Sequence, residues 1–111
     1  MYQLDFGSPV EPKLGAFHSF DIALAFDNCA QPGSKTGTGP EALVVAAKMS
    51  ETFIAFAKTG NPNNAAIPAW APYDLERRST MVFDVDTRSV DDPRAEERKL
   101  FQVAPFLKQG T

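Results

Sequence analysis

The sequence predicts an α/β unit that is incomplete as a stand-alone domain. Three observations lead there. Short stretches near both ends of the chain alternate apolar and polar residues with period two. One long amphipathic segment runs between them. The elements that remain are too few to close a tidy core around so many apolar side chains. A two-stranded sheet is marginal alone, and strands this far apart in sequence need not pair. The chain, residues 1–111, reads as one piece of something larger.

The first strand is YQLDF, where Tyr2, Leu4 and Phe6 alternate with Gln3 and Asp5. Gly7, Pro9 and Pro12 break it. In LGAFHSFDIALAF the apolar positions Phe17, Phe20, Ile22, Leu24 and Phe26 fit neither period. That predicts a loop through His18 leading into a short helical or irregular segment. DNCAQPGSKTGTGP is a loop on composition. Its glycines lack the spacing, the Lys-Ser/Thr ending and the leading strand of a phosphate-binding loop.

The clearest element is a helix over residues 40–59. Pro40 suits the first helical position and Glu41 complements the positive end of the dipole. Ala42, Val45, Ala46, Met49, Phe53, Phe56 and Ala57 recur at steps of three and four, the spacing of a core-facing stripe. Gly60 supplies the stop, followed by Asn61 and Pro62. An irregular, proline-rich connection follows, which Trp70 and Tyr73 are expected to pin to the core. TMVFDVDT alternates again and predicts the second strand, with Met81, Phe83 and Val85 on one face. A short last helix is expected with Asp92 as N-cap, Pro93 in the first turn, and Leu100, Phe101 and Val103 as its apolar side.

Composition narrows the function. Hydrophobic residues make up 43% and charged residues 23%, values of an ordinary globular protein. Nine phenylalanines imply a real buried core. A net charge of −3 and no cluster of Lys and Arg argue against a nucleic-acid partner. No apolar run is long enough to span a bilayer. MYQLDFGSP has neither the charged start nor the apolar core of a signal peptide. With a single cysteine, this favours a cytoplasmic setting, though a longer parent could be exported. Cys29 cannot form an internal disulfide, and no Cys/His set exists for a structural zinc. Cys29 reads as a loop thiol without a role. No metal or other cofactor is expected.

His18 is the only side chain with an unperturbed acid/base function near neutral pH. A general base needs a nucleophile and an orienting carboxylate. Asp21, three residues on, shares a face with His18 if the segment turns helically. None of the serines lies in a G-x-S-x-G elbow. Cys29 has no neighbouring cation to activate it. On the residues alone the site is incomplete, and a half-buried structural histidine is the simpler account.

Four blocks of sequence change that account. GAFHSFDIALAFDN resembles the catalytic-histidine segment of the type-B carboxylesterase family, which includes the cholinesterases and bacterial para-nitrobenzyl esterases. Gly15, Ala16, His18, Asp21 and Phe26 carry the match. FIAFAKTGNPN resembles the family's helix end and following turn, PAWAPYD its Trp-Pro-x-Tyr motif through Trp70, Pro72 and Tyr73, and RRSTMVFDVDTRSVDDPRAEER its closing strand and helix. The blocks keep the family's order across nearly the whole chain. Ala71 departs from the usual proline, and Ala23 and Ala25 are smaller than the family's usual residues.

The resemblance implies the C-terminal portion of an α/β-hydrolase fold: the last core strands, one long amphipathic helix and one short C-terminal helix. It implies a serine esterase that hydrolyses a small-molecule carboxylic ester through an acyl-enzyme without a cofactor. His18 would be the general base, Asp21 a supporting residue beside it, and Phe17 and Phe20 candidates for lining the acyl or alcohol pocket, with core packing the equal alternative. The family's serine, triad acid and oxyanion loop lie upstream of such a segment, so the chain alone is expected to be inactive. Its expected partner is the N-terminal part of the esterase as a separate chain, or a second copy. The alternative function is a non-catalytic interaction module that keeps the esterase scaffold.

Overall fold

The computed structural model describes residues 1–104. The last seven positions of the predicted unit, 105–111, lie outside the described residues. The order of elements is β1 (Tyr2–Leu4), a single 3-10 turn (Pro12–Leu14), α1 (Asp21–Ala25), α2 (Pro40–Thr59), β2 (Ser79–Phe83), β3 (Arg88–Asp91) and α3 (Ala95–Val103).

The two strands expected from alternation do pair, in parallel, with Tyr2 opposite Met81 and Leu4 opposite Phe83. The backbone N–H groups of Asp5 and Phe6 both donate to the Phe83 carbonyl, at 2.9 and 3.3 Å, and close that ladder. β2 is central and every residue of it is buried. On its other side lies β3, antiparallel, with Ser79 opposite Asp91 and Val82 opposite Arg88. β3 is a correction to the expectation of one strand running through Val85. Alternation there continues into a turn. The Thr87 hydroxyl donates to the Asp84 carbonyl at 2.7 Å, and the Val85 N–H donates to the Asp84 carboxylate at 2.8 Å. β3 itself, Arg-Ser-Val-Asp, is a polar edge strand that carries no hydrophobic period.

α2 spans the residues that its pattern predicts. Pro40 opens it, and Gly60 closes it in the left-handed conformation (φ 74°), its N–H donating to the Phe56 carbonyl at 2.7 Å. Its first half buries Ala42, Val45, Ala46 and Met49 against α1 and the sheet. The core they join contains Phe6, Phe20, Leu24, Met81 and Phe83. Each large side chain so buried contributes on the order of 1.5–3 kcal/mol. The predicted stripe does not stay buried over its whole length: Phe53 and Phe56 are 41% and 57% exposed. Cys29 lies in a turn, as expected. It is buried in the core, its thiol against the Ala42 carbonyl, while its own carbonyl accepts from Ser34 Oγ at 2.7 Å. Trp70 is half-buried and edge-on to Phe83 at 6.5 Å. Tyr73 is more exposed and accepts a hydrogen bond from Arg78 at 3.2 Å.

α3 corrects two expectations. It starts at Ala95 with Arg94 in the cap position, not Asp92. Asp92 has a φ of 47°, outside the extended region an N-cap adopts. Its carboxylate is instead gripped by Arg98, with contacts of 3.1, 3.1 and 2.7 Å. Leu100, Phe101 and Val103 face solvent, and no residue of α3 is buried. An ion pair rather than an apolar face holds this helix at its base.

Two outcomes follow from these interactions. Leu24→Ala, at a fully buried position, is expected to cost about 2–5 kcal/mol in urea denaturation, whereas Phe101→Ala is expected to fall within about 0.5 kcal/mol. The hydrogen bonds from Arg98 hold the Asp92 carboxyl below its ordinary range. A carboxyl depressed on folding contributes stability above its ordinary value of about 3.9, which is lost as pH falls through the lower folded value. The helical signal of α3 should therefore decline in that acid window in the parent and show no such step in Arg98→Gln.

Candidate functional site

The histidine segment is shaped by three constraints. Gly7 and Gly15 bring their backbones so close that a Cβ on Gly7 would meet the Gly15 carbonyl carbon at 3.3 Å. The Ser8 N–H donates to the Gly15 carbonyl at 3.0 Å and pinches the loop closed. The chain then makes a tight turn over residues 17–20, with the Phe20 N–H donating to the Phe17 carbonyl at 3.0 Å. Ser19 stands third in this turn with a φ of 69°, a left-handed conformation that favours Gly or Asn. His18 stands second and is exposed.

Both flanks of the turn are anchored. Phe20 is buried in the core and stacks on Phe6 at 6.2 Å. Phe17 is half-buried and packs on Phe20 at 5.0 Å. Of the two candidate pocket residues, Phe17 borders the shallow hollow of about 370 Å³ that His18 also lines, and Phe20 supports it from within the core. Asp21 is the first residue of α1 and borders the same hollow. Its carboxylate accepts a hydrogen bond from the Tyr2 hydroxyl at 2.9 Å. Among the described residues the His18 imidazole makes no side-chain hydrogen bond.

Tyr2 also lines this hollow, and the sequence does not single it out, since alternation reads it as one more apolar position of a strand. Its ring stands edge-on to Phe53 at 5.7 Å and to Phe83 at 6.0 Å. Burial, reinforced by the Asp21 carboxylate, raises its phenol above the ordinary value. No local signal joins positions 2 and 21; only the sheet pairing sets them side by side.

A second, larger groove of about 560 Å³ lies on the other side of Tyr2, bordered by Phe53, Phe56, Pro62, Trp70 and Phe83. It is lined by no carboxylate, imidazole or thiol. It is the uncovered half of the α2 stripe. Among the described residues no cluster of His, Cys, Asp or Glu could hold a metal ion, and no helix is long and apolar enough to cross a membrane.

The turn geometry makes a direct forecast. Ser19→Gly removes the strain of a side chain at positive φ and should leave the melting temperature unchanged or higher. Ser19→Val should lower stability by roughly 1–3 kcal/mol, read by thermal denaturation.

Comparison with known proteins finds similar chains. The para-nitrobenzyl esterase of Bacillus subtilis (strain 168) is 32% identical over 104 residues, which cover 91% of this chain and 21% of that protein. The crystal structure of a Geobacillus stearothermophilus carboxylesterase at pH 6.2 superposes with a TM-score of 0.75 at 37% identity, over 89% of this chain and 21% of that one. A para-nitrobenzyl esterase structure superposes with a TM-score of 0.80 at 27% identity, over 96% and 22%. The chain thus spans about one fifth of the length of these relatives. They are esterases of the α/β-hydrolase fold, of which this chain is a partial α/β piece. The carboxylesterase family model matches residues 1–102, and the chain belongs to that family.

Proposed function

We propose that the chain is the C-terminal segment of a serine carboxylesterase and supplies its general base, His18. The observation that carries this reading is the state of the imidazole. It is the only one in the chain, it is exposed on a turn braced from both sides, and no side chain of the described residues engages it. In the complete enzyme it would take the proton of the serine as the acyl-enzyme forms, then activate water to release the acid. The substrate class is a small carboxylic ester, and no cofactor enters the reaction. Asp21 is committed to Tyr2 and is therefore a supporting residue, not the acid of the triad. Phe17 borders the site, and Phe20 backs it. The serine, the triad acid and the oxyanion donors come from outside these residues, so the isolated chain is inactive.

The groove beside Tyr2 favours a second reading, a non-catalytic module that assembles with a partner or with itself. β1 is an edge strand beside an uncovered aromatic surface, and such surfaces promote association. Catalysis separates the two. In a chimera, residues 1–102 would replace the matching fifth of the Bacillus subtilis para-nitrobenzyl esterase. It should cleave a short-chain nitrophenyl ester, and His18→Ala should lower kcat by about a thousandfold or more. Full activity in the His18→Ala chimera, or turnover by the isolated chain that His18→Ala abolishes, would overturn the first reading.

A further inference from the structure

We infer that Tyr2 is a positioning residue for His18: its hydroxyl holds the Asp21 carboxylate and so keeps that carboxylate from pairing with the imidazole. The inference rests on the reading of His18 as general base and adds what keeps the base available. Asp21 lies three residues after His18, and both border one hollow. In the proposed triad the imidazole pairs with one carboxylate, the triad acid; a second one free to turn to the ring would compete for that place and further favour the protonated ring, which cannot accept a proton. In the structure it does not do so. Its Oδ2 accepts from Tyr2 Oη at 2.9 Å.

The tether is stiff at both ends. Tyr2 is paired with Met81 in the sheet, and its ring is wedged edge-on against Phe53 and Phe83. Asp21 is fixed by α1, whose Leu24 is fully buried. The phenol is shifted upward, so it keeps its proton and remains a donor through neutral pH. The ionisable side chains bordering the hollow are Tyr2, His18 and Asp21, so one hydrogen bond decides which partner the carboxylate takes.

The test uses the 111-residue chain and the Cε1–H resonance of its single histidine. Tyr2→Phe preserves the ring and removes the hydroxyl. The released carboxylate should shift the His18 titration upward by about 0.5 pH unit. Adding Asp21→Asn should return it to the parent midpoint, a reversal that a merely structural role of Tyr2 would not produce. An unchanged midpoint in Tyr2→Phe, or a shift that persists with Asp21→Asn, overturns the inference. A second measurement keeps the inference open to refutation even if Tyr2→Phe fails to fold. In a Tyr73→Phe background, Asp21→Asn should let Tyr2 ionise at lower pH, read by tyrosinate absorbance; an unmoved phenol titration overturns the inference. These readouts need no ester turnover, so their outcome is separate from that of the His18→Ala chimera.

Discussion

The parallel pairing of β1 with β2 is the constraint on which the rest of the molecule depends. Parallel strands cannot be joined by a tight turn; the chain must leave the sheet and return. Here residues 5–78 make that excursion, and both the histidine loop and α2 lie within it. Closing so long a loop costs conformational entropy, which grows only logarithmically with length. The packing that opposes this cost is concentrated on the central strand. β2 is buried along its whole length, and Phe83 alone meets Tyr2 and Trp70 edge-on and lies in one core cluster with Met49 and Phe20.

That pairing also builds the site. His18 lies on a turn whose flanks are held by separate anchors, the Phe6–Phe20–Phe17 ring cluster on one side and the Tyr2–Asp21 hydrogen bond on the other. Tyr2 and Phe6 both belong to the β1 end of the chain. Without the sheet register neither would stand where it does. The cost of the left-handed Ser19 is offset by this bracing.

The two ends of the molecule are held by different physics. The core around Leu24, Val45 and Met49 excludes water. α3 rests on the Asp92–Arg98 ion pair and exposes its apolar residues. The second half of α2 leaves Phe53 and Phe56 exposed beside the edge of β1. A chain that spans one fifth of its relatives shows the surfaces expected of a partial fold: a sheet with open edges and an aromatic stripe half covered.

By itself the sequence determined what is local. α2 was legible from Pro40 to Gly60 because a 3.6-residue period, a proline start and a glycine stop all act within one element. β2 was legible as a strand from its alternation, though not the burial of both its faces, and His18 with the blocks around it was legible as a carboxylesterase segment. What acts between distant residues was decided only in the folded chain. β3 is invisible in sequence because an exposed edge strand needs no apolar period. Asp92 reads as a helix cap until Arg98 folds back on it. Tyr2 reads as one more strand residue until the parallel register carries it to Asp21, nineteen positions away. A hydrogen bond between side chains so far apart depends on where the sheet puts them, and no spacing in the sequence encodes that.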